Sequence, residues 1–377
     1  MGRAPSRAAL VVALIVLVGA CTAANPSATP TPAPTRDPNA LNVTALLDLS
    51  GSRAPNGAPQ RDALQLWVDQ HASVSPRVKL KIVDVAGSPA KTALELRRAA
   101  VEDRANAILI GVPVDYDEAF AAAVQLAEVP VLFTLPIADP ATNDGGWAFA
   151  LAPTPKQLAR GVLDDAALRS VLSSALVVSD ESMTAITERM ALTAELARRG
   201  LRPNLVTVTP AEATAKLRPL VASGPIVFLA GTPRSYIDAA RTTTAGTTLY
   251  LSYLCELGEI RDLRDAAALA IWPGSRWVGA SSGVTTSARA SFLQGYADRA
   301  GSPPTSVAAS AYDALALLSS AGAESIDPTE LRDRLQARTF AGVATTYSFS
   351  VSRHAGFNTG DLALLRYVSD RSAPEIR

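Results

Sequence analysis

A chain of 377 residues with 35 basic and 35 acidic side chains carries no net charge. It shows no basic stripe, which argues against nucleic acid as a partner. Only two cysteines, Cys21 and Cys255, and two histidines, His71 and His354, are present; a disulfide-built fold and a His/Cys metal site are excluded on that count, and no Walker or G-x-G-x-x-G cofactor motif occurs.

The first segment reads as a leader. Arg3 and Arg7 form a basic start, and residues 8–18 form an apolar stretch too short to span a bilayer comfortably. Leu17-Val18-Gly19-Ala20-Cys21 then places small residues before a cysteine, the bacterial lipobox pattern. Residues 1–20 are therefore expected to be a lipoprotein signal peptide, with Cys21 lipidated and the folded part anchored to the membrane without spanning it. Loss of Arg3 and Arg7 leaves 33 basic residues (35 less 2) against 35 acidic ones, still near neutral. Residues 21–40 carry prolines at 26, 30, 32, 34 and 38 among Thr, Ala and Ser, and read as an extended tether. The remaining roughly 335 residues suit two lobes better than one core.

The folded part begins with an apolar strand pattern over 43–49, interrupted by Asp48, followed by Ser50-Gly51-Ser52. Ala63, Leu64, Trp67 and Val68 recur at helical spacing after it. The unit then repeats. A strand is expected over 78–83, and Ser88-Pro89 opens a helix as an N-cap opens on a first-turn proline. Further strands are expected over 106–111, 129–133 and 147–151, with a helix over 115–127 between the first two. A second series follows: a helix over 157–172, strands over 175–178, 205–208, 226–230, 248–251 and 267–272, and a helix over 183–199 stopped by Gly200. Helices over 287–301, 307–321 and 331–337 and strands over 344–351 and 361–367 close the chain. Alternating strands and helices mean parallel sheets covered on both faces, in which ligands sit beyond the C-terminal strand ends. Ser50 and Ser52 lie at such an end.

Four stretches carry a family resemblance. The strand ending in Leu49-Ser50-Gly51 with its following helix comes first; VKLKIVDVAGSPAKTALELRRAA comes second. The third and most specific contains Phe292, Tyr296, Gly301, Pro304, Tyr312, Asp313 and Ala314, and the fourth reads FAGVATTYSFSVSRHAGF. In this order, behind a lipobox, they resemble the type I periplasmic binding proteins, closest to the branched-chain amino-acid receptors of ABC transporters. The resemblance covers most of 41–368. It implies two Rossmann-like α/β lobes with parallel central sheets joined by hinge crossings: lobe 1 over 41–152 plus 274–341, lobe 2 over 153–273 plus 342–370, and a tail over 371–377. It further implies a small-molecule ligand and, as partners, an ABC permease and ATPase complex, with no cofactor.

The scaffold matches but the family's amino-acid clamp does not. The Ser-rich loop after the third strand is Pro113-Val114-Asp115-Tyr116, and the loop after the fourth is Leu135-Pro136-Ile137-Ala138-Asp139. In lobe 2 the usual Asp-Tyr-Gly turn is Ser179-Asp180-Glu181, the expected tyrosine is Thr232, and Glu256 stands near the family's ammonium-binding acid. A leucine-like ligand is thus not expected, because a buried ammonium or carboxylate without partners is costly. The candidate ligand-binding residues are Ser50, Ser52, Asp115, Tyr116, Pro136, Asp180, Thr232, Tyr253 and Glu256; the acids among them hint at a cationic or hydroxyl-rich ligand. Each also has a plainer reading: the serines as turn residues, Asp115 as a helix cap, Tyr116 and Tyr253 as core or rim aromatics, Cys255 as a small buried side chain and His354 as a turn residue.

An enzyme is the competing class. Gly279-Ala280-Ser281-Ser282-Gly283 matches G-x-S-x-G, with Asp313 and His354 following in hydrolase order. The elbow requires a strand directly before and a helix directly after, and Pro273-Gly274 and Val284-Thr285-Thr286 interrupt both. The expectation is therefore a non-enzymatic, extracytoplasmic solute-binding lipoprotein, with a ligand-sensing or scaffold lipoprotein of the same fold as its alternative and a serine hydrolase as a remote one.

Overall fold

The computed structural model describes residues 37–140, 145–169, 172, 175–209, 211–221, 226–231, 248–254, 266–270, 286–366 and 375–376. Its first sheet contains β1 (Ala40–Leu47), β2 (Arg77–Asp84), β3 (Ala107–Gly111), β4 (Val131–Phe133) and β5 (Ala148–Ala150), all parallel, in the order β2-β1-β3-β4-β5. Period-two alternation divides β1 between two cores. Leu41, Val43, Ala45 and Leu47 join the core that includes Ala63, Leu64 and Trp67 of α1 (Ala54–Gln70), whereas Leu46 joins the other with Leu96 of α2 (Pro89–Val101) and Val124 of α3 (Glu118–Ala127). β2, at the edge, buries Val78 and keeps Lys79 and Lys81 outside, where they pair with Asp37 and Asp103.

The second sheet holds β6 (Leu176–Ser179), β7 (Asn204–Thr207), β8 (Val227–Ala230), β9 (Leu249–Leu251) and β10 (Ala266–Ala270), parallel to one another. Its helices are α4 (Pro155–Arg169), α5 (Met183–Arg198) and α6 (Ala213–Val221). The last helices, α7 (Thr286–Ala300), α8 (Ser306–Gly322) and α9 (Pro328–Ala337), return to the first sheet: α7 and α8 pack on α1, with Tyr312 donating its hydroxyl to Gln70 at 2.8 Å. A hairpin of β11 (Thr339–Ala341) and β12 (Thr346–Ser348) follows. The chain then re-enters the second sheet as β13 (Ala363–Arg366), antiparallel to β10, and ends as β14 (Glu375–Ile376), giving the order β14-β13-β10-β9-β8-β6-β7. The two Rossmann-like α/β sheets expected from the sequence are present, with antiparallel strands only at one edge of the second.

Helix starts differ from expectation where a cap decides them. α3 begins at Glu118, because the Asp117 side chain accepts from the Phe120 amide, so Asp115 lies outside it. α4 begins at Pro155: Thr154 and Gln157 exchange hydrogen bonds between side chain and backbone, a capping box. α9 begins at Pro328, capped by Asp327. β1 leaves the sheet at Asp48, whose buried carboxylate accepts from the Gly87 amide at 2.6 Å. The expected signal peptide, Cys21, most of the expected tether and the G-x-S-x-G pentapeptide lie outside the described residues.

Two fastenings join the sheets. His354 is buried, not a turn residue on the surface: its ring stacks on Phe149 with centroids 4.4 Å apart. Nδ1 donates to the Ala148 carbonyl at 2.7 Å, and Nε2 accepts from the Gln336 amide. Backbone bonds from Ala150 to His354 and from Gly356 to Ala150 lay this segment against β5. The second fastening is Asp313 on α8. Its carboxylate accepts from the amides of Val343 and Ala344, at 2.6 and 2.7 Å, and from the Tyr347 hydroxyl at 3.2 Å. Gly342 is required beside it, since a Cβ there would overlap the carboxylate. The Tyr312-Asp313-Ala314 and Phe340-Ala341-Gly342-Val343 motifs thus meet in space. Asp313→Ala would leave two buried amides without an acceptor, each worth about 1–3 kcal/mol. Urea denaturation of the variant is expected to show a loss of about 2–5 kcal/mol, with an unchanged slope.

Candidate functional site

Because the strands are parallel, the loops after β3 and β4 emerge at the same edge of the first sheet, and the turns after β6, β8 and β9 emerge at the same edge of the second. A small, narrow pocket lies between them. The first sheet supplies Pro113, Val114, Leu135 and Pro136; the facing wall is Thr184, Thr187 and Glu188 of α5, with Leu254 after β9. A second pocket, roomier than the first, shares Pro155 and Glu188 with it and extends between α4, α5 and the ends of β8 and β9, among Leu158, Val162, Leu192 and Tyr250.

Glu188 is the acid common to both. Ser182 caps α5 by accepting from the Ala185 amide, and Ala185, Leu192 and Leu196 form its buried stripe. Position 188 falls on that stripe, three residues after Ala185 and four before Leu192. Its Oε2 accepts from the Gly231 amide at 2.8 Å and its Oε1 from the Ser252 hydroxyl at 2.6 Å. Gly231 has φ +63°, and a Cβ on it would overlap Ala185, so only glycine brings this amide to the carboxylate. Burial pushes the Glu188 carboxyl up to about 7; the Ser252 and Gly231 hydrogen bonds oppose that rise, and Asp180 adds to it.

The expected site residues divide. Pro136 lines the interlobe pocket, and Tyr253 lines the neighbouring one. The Tyr253 hydroxyl lies near Ser306 and Ser310 of α8, and burial pushes it up to about 12. Asp180 is half-buried and accepts from the Ser182 amide at 2.8 Å, at the start of the same helix. Ser50 is exposed and bonded to Asp84, which also accepts from the Leu49 amide, so it serves the turn. Ser52 lies in a 3-10 turn, Gly51–Arg53. Asp115 is exposed and lines neither pocket. Tyr116 packs against Phe120 and Phe133, at 6.3 and 5.4 Å, as a core aromatic. Thr232 and Glu256 lie outside the described residues. Glu188, Thr184 and Thr187 were not anticipated. The available signal was an acidic residue on the apolar stripe of α5, a position where an unpaired charge is costly.

Neither acid–base member of the hydrolase alternative is available: Asp313 is held by the 343–347 segment and His354 by Ala148 and Gln336. Among the described residues no group of three or more metal-ligating side chains occurs, and no helix is long and apolar enough to cross a membrane.

Two α/β lobes with a pocket between their strand ends define a solute-binding protein of the type I periplasmic fold. The family model for periplasmic binding proteins matches residues 40–372, and the chain belongs to that family. The family binds solutes and does not transform them, so this is not an enzyme, and its place is outside the cytoplasm. No curated protein matches the chain. Among solved structures it is similar to the branched-chain amino acid transporter substrate-binding protein LivJ from Streptococcus pneumoniae in complex with isoleucine, at 16% identity and TM-score 0.71 over 90% of this chain and 99% of that one. It is similar also to a solute-binding protein of an ABC transporter from R. palustris in complex with benzoate, at 17% identity and TM-score 0.71 over 89% and 95%. A substrate-binding protein from Desulfitobacterium hafniense in complex with Leu matches at 16% identity and TM-score 0.66 over 90% and 100%.

The raised Glu188 fixes a pH dependence. The unfolded chain gives up this proton near 4.5 and the folded chain near 7, so the folded state holds more protons between those values and loses stability as pH rises through them. Relative to Glu188→Gln, the native protein should lose about 1–3 kcal/mol between pH 4.5 and 7.5, measured by denaturant titration at each pH.

Proposed function

We propose that this chain is an extracytoplasmic lipoprotein that captures a small polar ligand between two lobes and presents the closed form to an ABC permease. The pocket with one wall from each sheet carries this reading, since a ligand touching both walls favours the closed state by its differential contacts. Cys21 would carry the lipid and residues 21–40 the tether. Lobe 1 would comprise 41–152 plus 274–341 and lobe 2 would comprise 153–273 plus 342–370; the segment 371–377, expected as a tail, instead adds β14 at the edge of the second sheet. Pro136, Asp180 and Tyr253, together with Glu188, would contact or border the ligand, and Thr232 and Glu256 follow the strand ends that frame it.

The test is a thermal-shift screen of the chain from Asp37 onward against amino acids, polyamines, amides, sugars and nucleosides. A ligand at a hundred times its Kd should add about 2.7 kcal/mol, visible as a raised Tm. A folded protein that responds to none of them would favour the sensory or scaffold role of the same fold.

A further inference from the structure

We propose that the interlobe pocket selects a compact apolar amine, with its ammonium on Glu188, and rejects ligands that carry a carboxylate. The proposal rests on the solute-binding reading and names the ligand class of that same site.

The two walls are chemically unlike. On the first-sheet side the described lining residues are Pro113, Val114, Leu135 and Pro136. None has a polar side chain, and the prolines lack an N–H. An anionic group pressed against this wall would lose its water and meet no side-chain donor, which is costly. A carboxylate placed on the opposite wall would instead face the Glu188 carboxyl. The isoleucine, leucine and benzoate of the similar structures all carry the group that this pocket does not accommodate.

The same wall suits a cation. A carboxylate offers about four acceptor positions, and Glu188 uses two, toward Gly231 and Ser252. Those two bonds also fix its orientation, so little freedom is lost when a third donor arrives. The body of the ligand has a place too: Leu158, Val162, Leu192 and Tyr250 line the pocket that adjoins Glu188. Small-molecule sites of this kind are apolar with a few placed polar groups. Because burial holds the Glu188 carboxyl near 7, an ammonium bound beside it displaces the proton at lower pH. Asp180 is the other acid that acts on Glu188, and Arg189 on the same helix is turned toward Ser179 and Thr207.

The experiment is isothermal titration calorimetry of the intact chain with isopentylamine and benzylamine as probes, and leucine, isovalerate and benzoate as carboxylate controls, at pH 6 and pH 8. The amines are expected to bind more tightly at pH 8 than at pH 6, with proton release at pH 6, and to lose at least about tenfold in affinity in Glu188→Gln. Pro136→Lys, a half-buried position at the rim, is a second variant: a cation opposite Glu188 should abolish amine binding while the fold persists. Amine binding that ignores pH and both substitutions overturns the proposal, as does binding of none of the probes. Binding of a carboxylate control in place of the amines overturns the ligand class but leaves solute capture standing.

Discussion

A single buried carboxylate, that of Asp313, holds the crossing between the two sheets. It lies on α8, which packs on α1 and so belongs mechanically to the first sheet. It accepts from the amides of Val343 and Ala344 and from the Tyr347 hydroxyl, all in the segment that leads to β13 of the second. Burial pushes the Asp313 carboxyl up to about 7, although these hydrogen bonds and the charge of Arg289 act against the rise. Arg289 is itself buried and is drawn to both Asp313 and Asp361, and Asp361 accepts from Thr345 at 2.7 Å. Hydrogen bonds in a low-dielectric interior are stiff, because any displacement leaves a buried group without its partner. The crossing is thereby fixed in position, while His354 secures the neighbouring segment to the edge of β5.

Everything at the cleft follows from that fixed end. With these segments fastened, the strand ends of the two sheets face each other across the pocket. The cleft walls are then free to differ in chemistry. One is closed by prolines and aliphatic side chains; the other carries Glu188 on a helix that also buries Ala185, Leu192, Leu196 and the arginine-paired Glu195. Keeping an acid there costs stability, and the Gly231 and Ser252 hydrogen bonds offset only part of it. Such a locally unfavourable group is tolerated where it serves a ligand.

Much of this architecture was legible in the residues. Short apolar runs and helical spacing located the strands and helices, because most of the strands are buried on both faces and so read as near-continuous apolar runs. The Ser88-Pro89 cap holds as read, with the serine accepting from the Lys91 amide. Boundaries slipped where side-chain capping overrode hydrophobic pattern, as at Asp117, Thr154 and Asp327. The site was less legible, because its parts are ordinary in isolation. Asp115 and Tyr116 lie in the right loop, but one turns to solvent and the other to Phe133. Glu188 becomes meaningful only when Gly231 and Ser252, far along the chain, are seen to converge on it. Likewise Tyr312-Asp313-Ala314 and Phe340-Ala341-Gly342-Val343 read as separate motifs, and only the fold shows that Gly342 is a glycine to make room for the Asp313 carboxylate.

The central claim is that the Asp313 fastening is rigid while the opposite rim of the cleft moves. Residue-resolved hydrogen exchange of the native chain tests it directly. The Val343 and Ala344 amides should exchange as slowly as those of β1, opening only with global unfolding, whereas the amides at the start of the turn after β3, at Val114 and Asp115, should exchange orders of magnitude faster. If Val343 and Ala344 instead exchange as fast as that rim, the crossing is not held by Asp313 and the account fails.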